Sequence, residues 1–249
     1  MPGEPSAQVV KQLMQAHARS PSVDADAVLE IEREYRPVIG DRYFVYCQAF
    51  LALHRAGACE NRRFKEMDDM YRRVIRETGT PPTPMAAFIY AGAALEAWAL
   101  LKPVSDPDTL LERALHAART PQGLAEVWQQ RGSNVVLDLR RMDPRVAQVL
   151  ALDALVALSR GAQDRGLHLV AGEAPRGAQP AFAERKRVLK SVLLRCLESA
   201  GLFAFVPPRN EGRIVLPPKS VREAGGALKA GPGGRFADVE EIKKHLIGP

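Results

Sequence analysis

The residues of this chain best suited to chemistry are cations, and the chemistry they suit is phosphate binding. Arg185, Lys186, Arg187 and Lys190 crowd together, Arg176 precedes them, and Arg209 and Arg213 flank Asn210-Glu211-Gly212. Arginine offers a planar fork of donors that matches phosphate oxygens, and lysine offers a compact charge. The alternative is that residues 185–190 form only the solvated face of an amphipathic helix. The five histidines, His17, His54, His116, His168 and His245, are scattered and form no helical metal pair. His168 reads as a structural strand residue. Neither a Ser-His-Asp nor a Cys-His arrangement can be argued. Cys47, Cys59 and Cys196 form no C-x-x-C pair. They read as reduced core or near-core thiols, which fits a reducing compartment.

Two kinds of pattern carry these residues. Residues 7–19, 25–35, 43–55, 62–77, 85–101 and 109–119 read as helices punctuated by Pro, Gly, Ser or Asp. Phe44, Cys47, Phe50, Leu51 and His54 mark one helical face, and Met67, Met70, Tyr71 and Val74 another. Paired helices with short turns are α-hairpins, and stacked hairpins form a solenoid. Beyond Gly132 the pattern changes. Residues 135–139 form a short β-branched run, and Asp143-Pro144 opens a helix as N-cap and N1. Residues 167–171 form a second strand, 183–200 a second helix, and 203–206 and 213–216 two further strands. The order β-α-β-α-β-β predicts a small sheet covered by two helices. In it, the ends of the first two strands and the start of the second helix should share one edge.

Charge separates the same two regions. The chain carries +6 overall; residues 1–130 sum to −2 and residues 131–249 to +8. Such asymmetry points to a polyanionic partner for the C-terminal half. Apolar residues are 46 % and charged residues 26 %, ordinary for a globular chain. No apolar run reaches the ~20 residues a bilayer requires, so no membrane partner is expected. The N-terminus has the character of neither a secretory signal nor an organelle transit peptide.

Around the cations lies an ordered set of motifs. Leu137-Asp138-Leu139-Arg140-Arg141-Met142 precedes a helix carrying Ala147, Ala171-Gly172-Glu173-Ala174 follows the second strand, and Asn210-Glu211-Gly212 precedes the last. The block from Leu137 to Leu216 resembles the small MutS-related (Smr) domain. That family's opening motif is Leu-Asp-x-His-Gly and its second is Thr-Gly-x-Gly. Here the His and Gly are Arg140 and Arg141, and the Thr and second Gly are Ala171 and Ala174. The resemblance implies a nucleic-acid-binding α/β domain. The departures favour a non-catalytic role, because arginine stays protonated and neither takes a proton nor holds a metal, and they leave the family's endonuclease activity as an alternative. Asp138 is the one candidate catalytic residue if the domain is a nuclease, with Mg²⁺ or Mn²⁺; otherwise no cofactor or metal is expected. The expected nucleic-acid contacts are Arg140, Arg141, Gly172, Arg176, Arg185, Lys186, Arg187, Lys190, Arg209, Asn210 and Arg213.

Residues 41–120 resemble pentatricopeptide (PPR) repeats, through DRYFVYCQAFLALHRAG, the second helix ending MYRRVIRETGTPPT, and PMAAFIYAGAALEAWAL. A generic tetratricopeptide-like hairpin array is the alternative, and no base-reading residues are carried over. The expected organisation is α+β overall: an all-α helical-hairpin repeat region at 1–131, an Smr-like α/β domain at 132–216, and a flexible basic Gly/Pro-containing extension at 217–249 ending in a short charged helix. The Gly-rich stretch there follows no strand and is not a phosphate loop. The combination resembles PPR–SMR proteins, which implies RNA binding in a mitochondrion or chloroplast. Three expectations remain: a non-catalytic RNA-binding protein of organellar RNA metabolism or translation; a component of an organellar ribosome or other ribonucleoprotein, contacting its protein subunits through the helical half; or an Smr-type endonuclease.

Overall fold

The computed structural model describes residues 5–36, 42–56, 61–80, 83–100, 106–161, 164–172 and 180–246; within these, the side chains of 42–44, 61–62 and 180–186 lie outside the description. The chain is mixed α+β, mostly helical, and divides into two compact units, Met1–Gly123 and Leu124–Pro249.

The first unit contains α1 (Ala7–Arg19), α2 (Ala25–Tyr35), α3 (Arg42–Arg55), α4 (Asn61–Thr78), α5 (Pro84–Leu100) and α6 (Pro107–Ala118). Each lies within two residues of its expected bounds. Polar side chains start several of them: Ser6, Asp24 and Asp106 accept from the amides of Val9, Ala27 and Thr109. Successive helices pair, and α3 also packs on both α1 and α5, so hairpins stack on hairpins. The core is aromatic: the Tyr71 and Tyr90 rings stack with centroids 3.7 Å apart, and Phe50 sits 6.2 Å and 6.4 Å from them. An ionic motif repeats along the stack. Buried Glu32 pairs with Arg36 one turn on and with Arg73 of α4. Buried Asp68 pairs with Arg72 one turn on and with Arg113 of α6, and accepts from the Tyr90 hydroxyl at 2.6 Å.

The second unit starts with α7 (Pro121–Val127), which overlaps the end of the first and runs into β1 (Trp128–Arg131). Neither was expected. β1 pairs antiparallel with β2 (Asn134–Asp138) through Gly132-Ser133. Gly132 has φ +60°, and Gly-first turns of this kind match the twist of a hairpin. β1 therefore belongs to the sheet, although the helical region was expected to reach residue 131. From β2, α8 (Pro144–Ser159) crosses to β3 (Gly166–Val170), which lies parallel to β2; α9 (Pro180–Ser199) then leads to β4 (Arg213–Leu216), antiparallel to β3. The sheet order is β1-β2-β3-β4. A Cβ on Gly166 would lie 2.5 Å from Asn134 Oδ1 and 3.3 Å from the Leu216 carbonyl oxygen, so a larger residue there would have to displace the Asn134 side chain.

Two expectations are corrected. Residues 203–206 do not form a strand; Phe205 alone bridges Val215. Pro207 and Pro208 follow at once, and proline has no N–H to extend a ladder. Residues 217–246 are not a flexible extension. They form α10 (Pro218–Ala227), which packs on α8, β3 and β4, and then the expected short charged helix, α11 (Val239–His245). Val221, Ala224, Leu228, Ala237 and Ile242 are buried. The buried Asp153 carboxylate of α8 accepts from the Ala237 amide at 2.9 Å, and the Ser199 hydroxyl of α9 lies 2.9 Å from His245 Nδ1. The glycines that read as a linker instead make a turn, with Gly233 and Gly234 at φ +80° and +70°.

Candidate nucleic-acid interface

In a sheet with a parallel pair, the ends of the paired strands and the turns leaving them collect on one edge. Here β2 ends at Asp138, and the Leu139 amide prolongs the pairing by donating to the Val170 carbonyl at 3.0 Å. The buried Leu139 side chain anchors the turn, which the Met142 amide closes onto the Leu139 carbonyl. Asp143 then caps α8 by accepting from the Arg145 amide. This leaves Arg140 and Arg141 exposed at the strand end.

Arg140 turns back onto Asp138. Its Nε donates to Oδ1 at 2.8 Å, its Nη2 to Oδ2 at 2.5 Å, and its backbone amide to Oδ1 at 3.2 Å. These bonds, the side-chain one foremost, hold the Asp138 carboxyl below its ordinary range against the opposing effect of burial; the charge of Arg141 adds to them. Both oxygens of Asp138, the candidate catalytic residue of the nuclease alternative, are thus taken by a cation. Among the described residues no three His, Cys, Asp or Glu groups converge as a metal cluster.

β3 leaves the sheet beside this turn. The Ala171 and Gly172 amides both donate to the Gly212 carbonyl at 2.9 Å, and Gly172 has φ +82°, a conformation costly for any residue with a Cβ. Lys190 of α9 reaches the same place, its Nζ donating to the Glu211 carbonyl at 3.3 Å. Asn210 shapes the turn before β4: its amide donates to Pro207 and its carbonyl accepts from the Arg213 amide. Arg209 and Asn210 are exposed in that turn.

The structure thus brings Asp138, Arg140, Arg141, Gly172, Lys190, Arg209 and Asn210 to the ends of the strands. The expected helix start is corrected: α9 begins at Pro180, so Arg187 and Lys190 lie well inside it, on one face at i, i+3 spacing. Arg187 is exposed. Arg176 lies outside the described residues, and Arg185 and Lys186 sit on α9 with side chains outside the description.

Arg213 is placed differently. Its Nη1 lies 3.3 Å from His168 Nδ1 on the neighbouring strand. The guanidinium can only donate, so Nδ1 accepts, which places the imidazole proton on Nε2. Burial first, then the Arg213 charge, pushes the His168 pKa down. His168 and Arg213 lie on the sheet face opposite Leu167, Leu169, Ile214 and Leu216, all of which are fully buried.

Sequence reasoning passed over the Glu211 and Gly212 carbonyls, which tie α9 and β3 to the last turn. No residue-type signal marks a backbone acceptor. It also passed over the Arg140–Asp138 closure, although residues two apart at the end of a strand share a face.

Chemically, the edge is a cationic surface with ordered backbone and one carboxylate already neutralised. No protein family, curated protein or solved structure matches the chain in comparison. Among the described residues, no helix is long and apolar enough to cross a membrane.

Proposed function

We propose that this chain is an RNA-binding protein whose second unit holds RNA phosphates along the strand-end edge without cleaving them. The observation that carries the reading is the closure of Arg140 on Asp138. A metal-dependent nuclease needs that carboxylate open to the ion and a base close by. Here an arginine occupies it, and the surrounding exposed cations, Arg141, Arg187 and Arg209 with Lys190 beside them, suit a phosphate backbone. The +8 charge of residues 131–249 supports the same assignment. The domain is read as Smr-like in arrangement and non-catalytic, and the helical unit as PPR-like. Organellar RNA metabolism or translation is the setting that resemblance implies. Photocrosslinking the full chain to 4-thiouridine RNA tests the assignment. Adducts are expected on peptides spanning 138–145, 187–195 and 207–213; adducts confined to residues 1–123 would refute it.

A second reading, a component of an organellar ribosome or other ribonucleoprotein, is favoured by one observation. Val9 and Leu13 of α1 share a helical face and are 51 % and 44 % exposed. Such an apolar pair suits contact with another protein. Co-sedimentation with large ribonucleoprotein particles, lost on Val9→Ser/Leu13→Ser substitution, is its expected signature.

A further inference from the structure

Among the described residues of the second unit, the helices pack on one face of the sheet. α8 packs against both α9 and α10, and α10 reaches β3 and β4, so the helices gather on the face of Leu137, Leu167, Leu169, Ile214 and Leu216. The other face carries Asp138, His168, Val170, Arg213 and Val215, all half-buried, with only Val136 at its centre fully covered. Two aromatic rings extend this face. Phe205 exchanges both backbone hydrogen bonds with Val215, at 3.0 Å and 2.8 Å, and directly paired residues share a face. The Phe203 ring lies beside the Phe205 ring. Their ring centroids are 6.2 Å apart with planes 30° from parallel. Phe203 is 64 % exposed and Phe205 43 %, and they are the only aromatic residues among the exposed large hydrophobics described.

Deepening the RNA-binding reading, on which it rests, we propose that Phe203 and Phe205 form a stacking platform for the bases of single-stranded RNA, with phosphates running toward the basic strand-end edge. Three features choose this occupant. Exposed rings on an open sheet face are what unpaired bases stack on, and any base has a π-face to offer. The rings share their face with Arg213 and the His168 imidazole, a guanidinium and a neutral aromatic heterocycle that also stack on bases and sit poorly against an apolar protein segment. The turn that follows the rings holds Arg209, and β4 leads from it with Arg213, so the charge needed for the backbone begins within a few residues of the platform. Duplex RNA hides its bases within its stacks, so the platform selects single strands.

The test uses the full chain, native and Phe203→Ala/Phe205→Ala, with a single-stranded RNA carrying 2-aminopurine and a duplex of the same sequence. Both rings are exposed, so the variant should keep its circular dichroism and melting point. Native chain is expected to change the 2-aminopurine emission on binding, as stacking does. The double variant is expected to bind about tenfold or more weakly, as base–aromatic contacts do, with the salt slope of binding unchanged. Phe203→Trp/Phe205→Trp should restore affinity. Native-like single-strand affinity in the alanine variant would overturn the platform and leave the phosphate edge standing. The same would follow from an equal loss on duplex RNA, or from loss of a self-associated dimer with RNA binding intact. Absence of RNA binding by the native chain would overturn both.

Discussion

Arg140 and Asp138 face each other across a single residue at the end of β2, with guanidinium and carboxylate joined at 2.8 Å and 2.5 Å. The pair lies near the surface, Arg140 being 57 % and Asp138 28 % exposed, and such pairs contribute only ~0–1 kcal/mol. Its consequence is therefore chemical more than energetic. Asp138→Asn should release the guanidinium toward an anion and raise RNA affinity by at most about fivefold. Neither chain should cleave labelled single- or double-stranded RNA in Mg²⁺ or Mn²⁺. Cleavage by the native chain that vanishes in the variant would restore the nuclease expectation.

Asp68 holds two arginines and the Tyr90 hydroxyl inside the helical unit. Removing one partner from such a cluster leaves the others poorly compensated. Asp68→Ala should destabilise the unit by about 3 kcal/mol, read from urea unfolding. Tyr90→Phe should lose about 1 kcal/mol. A loss below 1 kcal/mol for Asp68→Ala would show that the cluster is dispensable.

The C-terminal segment is tied to α8 by the buried Asp153–Ala237 bond. Asp153→Ala leaves that amide without its acceptor, for an expected loss of about 1–3 kcal/mol. Hydrogen exchange at Ala237 should speed up with it. A fast-exchanging Ala237 amide in the native chain would contradict a packed segment.

How much of this was legible beforehand depended on whether a signal was local. The cap at Asp143 and the helical spacings placed most elements, because they depend on neighbours in sequence. The Gly132-Ser133 turn is also written locally, between Trp128–Arg131 and Asn134–Asp138, but its first strand falls in the stretch expected to end the helical region. Residues 203–206 alternate as a strand does, yet the following prolines cut the pairing to one bridge. Residues 217–246 misled in the other direction. Glycine and proline content describes an unfolded chain's freedom, and it says nothing of the buried carboxylate waiting at Asp153. Of the interface, the cations could be read by type, but the backbone bonds from Gly172 and Lys190 to the 211–212 turn depend on tertiary placement.

Acid should weaken the second unit. Burial pushes the pKa of both His168 and His245 below the ordinary 6.5. A depressed folded pKa means that the neutral form is favoured by folding. The contribution is complete above pH 6.5 and is lost as pH falls through the lowered values. Urea midpoints should therefore drop between pH 7.5 and 5.5, and His168→Gln/His245→Gln should flatten the drop. A midpoint that holds steady or rises on acidification would contradict the sign.

The central claim is that the strand-end edge holds RNA phosphates. Its most direct measurement is the affinity of the full chain for single-stranded RNA across a salt series, beside Arg141→Glu/Lys190→Glu. For the native chain, log affinity should fall linearly with log salt, by ~0.7 for each phosphate contacted. The charge-reversed chain should bind at least tenfold more weakly at low salt, with a shallower slope. A salt-independent native affinity, or a reversed chain that binds as the native one does, would contradict the account.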